Sequence, residues 1–83
     1  PRKVGELRLA LIYLQHDRWD EADRIFKAFQ LAGVSDPWKK AHGLAGIAIV
    51  QLLRGETQLA TLTLKELDRL NPTLDTKLKQ ALD

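Results

Sequence analysis

The chain has no cysteine and no methionine, only three prolines and five glycines, and 6% aromatic residues. The lack of cysteine excludes disulfides, thiolate metal sites and thiol chemistry, and it fits a reducing, cytoplasmic compartment. With so few aromatics, any core must be built from Leu, Ile, Val and Ala, a palette that suits packed helices. The lack of methionine reads as a processed chain or a fragment of a longer one. No stretch approaches the roughly 20 apolar residues of a membrane span, so no membrane insertion is expected. The opening PRKVGELRLALIYL is basic and then amphipathic. It has no unbroken apolar run ending in a small-residue cleavage site, so it does not read as a secretory signal.

A run of like charge is also missing. Thirteen basic and eleven acidic residues are interleaved along 83 positions, for a net charge of +2. A nucleic-acid binder of this size usually shows a clustered basic face. Only the isoelectric point of about 9.2 favours such a role, and no nucleic-acid partner is expected. The length fits one small domain, near the lower limit for an unaided hydrophobic core.

What is present is helical periodicity from end to end. Leu7, Leu11 and Leu14 recur at spacings of four and three in a helix from about Val4 to Gln15. Asp17 is placed to cap a second helix, with Asp20 and Glu21 in its first turn, where the dipole favours negative charge. That helix carries Trp19, Ala22, Ile25, Phe26 and Phe29 and ends at Gly33, a C′ candidate. Ser35 or Asp36 caps a third helix, with Pro37 at its first position and Leu53 near its end. After Gly55, Thr57 caps a fourth helix reaching Leu70. Asn71-Pro72 predicts a stop. Thr73 then caps a fifth, short helix with Leu74, Leu78 and Leu82. The fold class is therefore all-α, one domain of hairpins joined by short connections.

The segment GIAIVQLL, residues 46–53, has more apolar side chains than one buried stripe needs. Its place in an internal repeat suggests why. Leu9-Ala10, Tyr13, Ala22 and Phe26 align with Ile47-Ala48, Gln51, Ala60 and Leu64, at a constant offset of 38 residues. The inter-helix turns align at Asp17 and Gly55, and Pro72 closes the second unit.

This pattern resembles the tetratricopeptide repeat, a 34-residue helix–turn–helix unit with the spacing W-x₂-L-G-x₂-Y…A-x₃-F…P. Ala10 stands where glycine is usual, Glu6 where an aromatic is expected, and Gln51 and Leu64 also replace aromatics. The four extra residues fall between Gly33 and Lys40. The resemblance implies two hairpins, at about 4–32 and 37–70, and a capping helix at about 73–82. It also implies that the first helix of each hairpin lines a concave groove. The partner-binding positions would then be Val4, Leu7, Leu11 and Leu14 in the first unit and Ala45, Ile49, Leu52 and Leu53 in the second, with Gln15 and His42 beside them. Peptide-clamping members of that family place Lys, Arg and Asn at such positions, whereas here they are apolar.

A protein-binding role follows: a groove that takes a partner's amphipathic helix, or a second copy of the chain. In length, hairpin number and apolar groove the chain is similar to the small repeat-like chaperones of bacterial type III secretion. That resemblance implies a protein-transport role, holding an aggregation-prone export subunit. Two dispositions compete with an open groove: the last helix folded into it, or the hairpins closed into a compact bundle. Two other functions compete with the chaperone role: a scaffold piece of a longer array, and a small basic nucleic-acid-binding domain.

No constellation of residues points to an enzyme, a cofactor or a metal. His16, Asp17 and Glu21 read as an exposed turn, since adjacent residues at a helix end point apart. His42 reads as a solvated or packing residue. Ser35, the one serine, has no His/Asp arrangement around it. Trp19 and Trp38 open helices, where a Trp packs over the turn or anchors an interface. Lys39-Lys40 and Arg2-Lys3 read as solvated helix ends.

Overall fold

A computed structural model describes the backbone of residues 2–82 and the side chains of residues 5–70. Among the described residues there are four α-helices and no strand: α1 (Arg2–Gln15), α2 (Trp19–Ala32), α3 (Pro37–Leu53) and α4 (Thr57–Leu82). The expected stop at Asn71-Pro72 does not occur, and the fourth and expected fifth helices are one continuous element. Pro72 removes one i→i−4 hydrogen bond, which raises the cost of the helix there without ending it. The Leu74–Leu78–Leu82 stripe lies outside the described side chains.

The turns after α1 and α3 are built the same way. Arg18 N donates to Tyr13 O at 2.8 Å and Asp17 N to Leu14 O at 3.2 Å. Glu56 N donates to Gln51 O at 2.8 Å and Gly55 N to Leu52 O at 3.1 Å. Both pairs are Schellman motifs, in which the C′ residue takes a left-handed conformation. That residue is Asp17 (φ 59°) in the first turn and Gly55 (φ 78°) in the second. Asp17 is thus the C′ residue of α1, not the N-cap of α2. Arg18 holds the N-cap position without a side-chain cap, and its guanidinium pairs with Glu21 at 2.7 and 2.8 Å.

The α2–α3 connection differs. Gly33 has an ordinary φ of −82°, so it is not the left-handed terminator expected from sequence. Its constraint is space: a Cβ there would lie 2.5 Å from the backbone N of Lys40. Asp36 caps α3 as expected, its carboxylate accepting from Trp38 N at 3.1 Å and Lys39 N at 3.4 Å, with Pro37 following.

Among the described residues, backbones approach only between sequence neighbours: α1 with α2, α2 with α3, α3 with α4. The core follows this order. Ala10 and Ala22 are fully buried between α1 and α2, and Ala48 and Ala60 are buried in the second unit. Small residues at these four places let the helix pairs close. Between α2 and α3 glycine does this work. A Cβ on Gly43 would fall 2.5 Å from Gln30 N and 2.7 Å from Phe26 O, and one on Gly46 would enter the Phe26 ring. Phe26, Phe29, Leu44, Ile47 and Val50 are buried around this contact.

An ionic link ties the second turn back to α2. Arg54 bonds to Asp20 and lies 4.0 Å from the Asp23 carboxylate. Asp23 is only 7% exposed and also pairs with Lys27 at 2.8 Å. A buried carboxylate persists only when partnered, and these two cations partner it.

Candidate functional site: an apolar groove between α1 and α3

Each groove-lining helix carries apolar residues at a spacing that keeps them on one face. On α1 these are Leu7 and Leu11, one turn apart. On α3 they are Ala45 and Ile49, also one turn apart and 38 residues further along the chain. The two pairs meet over a shared floor. Leu7, Leu11, His42, Ala45 and Ile49 surround a cavity of about 170 Å³ whose base is Phe26 and Gly46. The floor depends on glycine, because any side chain at position 46 would displace the Phe26 ring.

Four of the eight expected partner-binding residues are therefore brought together: Leu7, Leu11, Ala45 and Ile49. Leu14 is only half-buried and packs against the core cluster of Ala10, Ala22, Phe26, Ile47 and Val50. Leu52 and Leu53 do not line the cavity. They are exposed one turn beyond Ile49 and continue its side of the helix. The Val4 side chain lies outside the described residues. Gln15 is exposed and stands apart from the cavity.

Phe26 and Gly46 were not legible as groove residues. Phe26 reads as hairpin core, and it is buried at 3% exposure. Its ring nonetheless closes the bottom of the groove. The available signal was Gly43-x-x-Gly46, two glycines one turn apart on α3, which marks the side where another helix comes closest.

His42 forms one end of the rim. Its ring stacks on Trp38 at 4.1 Å between centroids, and Nδ1 donates to the Trp38 carbonyl at 2.9 Å. Trp38 also lies 6.4 Å from Phe29 in a tilted arrangement. Trp19 is half-buried and packs on the core cluster, and its buried indole N–H donates to no acceptor among the described residues.

A second cavity, about 290 Å³, opens on the opposite side of α3, between α2 and α4. Its walls mix Lys27, Gln30, Gln51, Thr63 and Glu66 with Leu44, Ile47 and Leu62. Thr63 Oγ1 donates to Gln51 Oε1 at 2.7 Å across it. Its lining is largely polar, whereas the α1–α3 groove offers apolar surface with one imidazole at its edge.

Among the described residues no group of three or more His, Cys, Asp or Glu side chains is placed to hold a metal ion. His16, Asp17 and Glu21 do not form one. Likewise, no described helix is long and apolar enough to cross a membrane. No family model matches the chain, and neither a curated protein nor a solved structure matches it.

Proposed function

We propose that the chain is a non-enzymatic helical-repeat module of the tetratricopeptide kind. It holds the apolar face of a partner's amphipathic helix in the groove between α1 and α3. The observation that carries this is the convergence of Leu7, Leu11, Ala45 and Ile49 over Phe26, open to solvent and lined without a cation or carboxylate.

The size of the groove argues for a protein partner. Sites for small ligands usually enclose about 300–1,000 Å³ and bury most of the ligand. A cavity of about 170 Å³ suits one inserted apolar side chain. A helix that seats one such anchor passes along the exposed faces of Leu52 and Leu53, which gives it more apolar contact. Each fully buried aliphatic anchor contributes about 1.5–3 kcal/mol, so two or three are needed to outrun the cost of association. Acidic peptide ends and phosphate backbones find no cation among the groove residues. The reading needs no cofactor. The repeated Schellman turns and the paired buried alanines support the repeat architecture beneath it. An aggregation-prone export subunit, held in the cytoplasm by such a helix, is the narrower chaperone form of the same proposal.

The test compares capture from a native lysate by the wild-type chain, Ile49→Asp and Leu62→Asp. Ile49 is in the groove at 45% exposure, and Leu62, at 60%, is exposed on the far side. A helical partner retained by wild type and Leu62→Asp but lost by Ile49→Asp is expected. Retention by all three, with circular dichroism showing all three helical, overturns the proposal.

A further inference from the structure

α1 has a third apolar face, away from both the groove and α2. It carries Leu9 and Ile12, each 43% exposed. By the 38-residue equivalence these residues match Ile47 and Val50, which are 6% and 0% exposed. The contrast has a direct cause. Ile47 and Val50 pack with Ala22 and Phe26 of α2, the second helix of the preceding unit, while among the described residues no helix covers the matching face of α1. The molecule itself therefore shows what kind of element fits this face.

The matching half of that contact is present at the other end of the chain. α4 stands to the second unit as α2 stands to the first. Phe26, which packs into Gly46 of α3, corresponds to Leu64 of α4, which is 42% exposed. Gly43, where α2 comes closest to α3, corresponds to Gly5 of α1, and a Cβ there would meet nothing within 4 Å. Both halves of the α2–α3 interface thus recur uncovered.

We infer that α4 of a second copy packs on α1 in the geometry that α2 adopts on α3, stacking chains head to tail. The contact differs from its internal counterpart in two ways. Arg8 stands at the Gly46 position, and the smaller Leu64 replaces Phe26 opposite it. The long stem of an arginine can lie along apolar surface with its charge in water. Asp68, at the Gln30 position, brings the opposite charge to the same interface. The loss of the glycine makes this contact looser than the internal one. Because the two faces are different surfaces, the contact does not close on itself, and the stack continues beyond a dimer. This face is separate from the groove, and the inference does not rest on what the groove holds.

Sedimentation velocity over a wide concentration range tests it. The wild-type mass is expected to rise past that of a dimer with concentration. Ile12→Asp and Leu64→Asp each remain monomeric alone, because each has lost one face. Mixed at equal concentration they form a one-to-one dimer and nothing larger, because one intact pair of faces remains. Leu64→Lys replaces Leu64→Asp if circular dichroism shows the latter unfolded. Leu11→Asp, in the groove, leaves the wild-type pattern intact. A wild-type monomer at every concentration, a mixture that stays monomeric, or association lost in Leu11→Asp but kept in Ile12→Asp would each overturn the inference.

Discussion

Asp17 and Gly55 hold the same backbone position in two turns 38 residues apart, with φ of 59° and 78°. The two Schellman bonds recur in both turns, and the first turn adds a bond from His16 N to Tyr13 O. One residue can take this conformation without strain and the other takes it at a cost, because only glycine lacks the Cβ that opposes a left-handed φ. Gly55→Ala is expected to lower stability by about 1–2 kcal/mol. Asp17→Gly should raise it, by at most about 1 kcal/mol. Chemical denaturation of both variants checks the pair, and a loss of stability in Asp17→Gly would contradict the C′ assignment.

Gly5 and Gly43 form a second equivalent pair with opposite surroundings. A methyl at Gly43 meets backbone at 2.5 Å, so Gly43→Ala forces α2 and α3 apart, at an overpacking cost of about 1–3 kcal/mol. A methyl at Gly5 meets open space, and replacing glycine inside a helix gains about 0.5–1 kcal/mol. Thermal melts at a concentration where the chain is monomeric should show shifts of opposite sign.

Core and groove should separate under mutation. Phe26→Ala removes a buried ring and is expected to cost about 3–5 kcal/mol. Ile49→Asp and Leu52→Asp change exposed positions and should leave helicity by circular dichroism near that of wild type while abolishing partner binding. If Ile49→Asp unfolds the chain, Ile49 belongs to the core and the groove loses its basis.

Arg54 is predicted to matter more than either acid count suggests. Asp20 is mostly exposed, so Asp20→Ala should cost less than about 1 kcal/mol. Arg54→Ala takes a partner from the buried Asp23 carboxylate and should cost about 1–3 kcal/mol. Urea titrations of the two variants make the comparison, and equal losses would contradict it.

Much of the fold was legible because periodicity and end signals agreed. The spacing of Leu7 and Leu11, the Asp36-Pro37 start of α3 and the small residues at Ala10, Ala22, Ala48 and Ala60 all act locally, and each does what its position implies. Asp17 was misread because an Asp before a helix signals an N-cap. The preceding helix had the stronger claim on it, through the Schellman bonds to Tyr13 and Leu14. The Asn71-Pro72 stop failed because proline removes one helix bond without forbidding the helix on either side. Half of the groove, Leu7, Leu11, Ala45 and Ile49, could be placed from the repeat resemblance. Its floor could not, since Phe26 meets Gly46 only once two helices from different units are packed.

In the proposed complex one partner helix lies across both α1 and α3. Photo-crosslinking tests it most directly, with a benzophenone side chain placed in turn at Leu11, Ile49 and, as a control, Leu62. Leu11 and Ile49 are expected to crosslink to the same short helical segment of one partner, and Leu62 is not. Crosslinks to that partner from Leu62 alone, or from Leu11 and Ile49 to separate proteins, would contradict it.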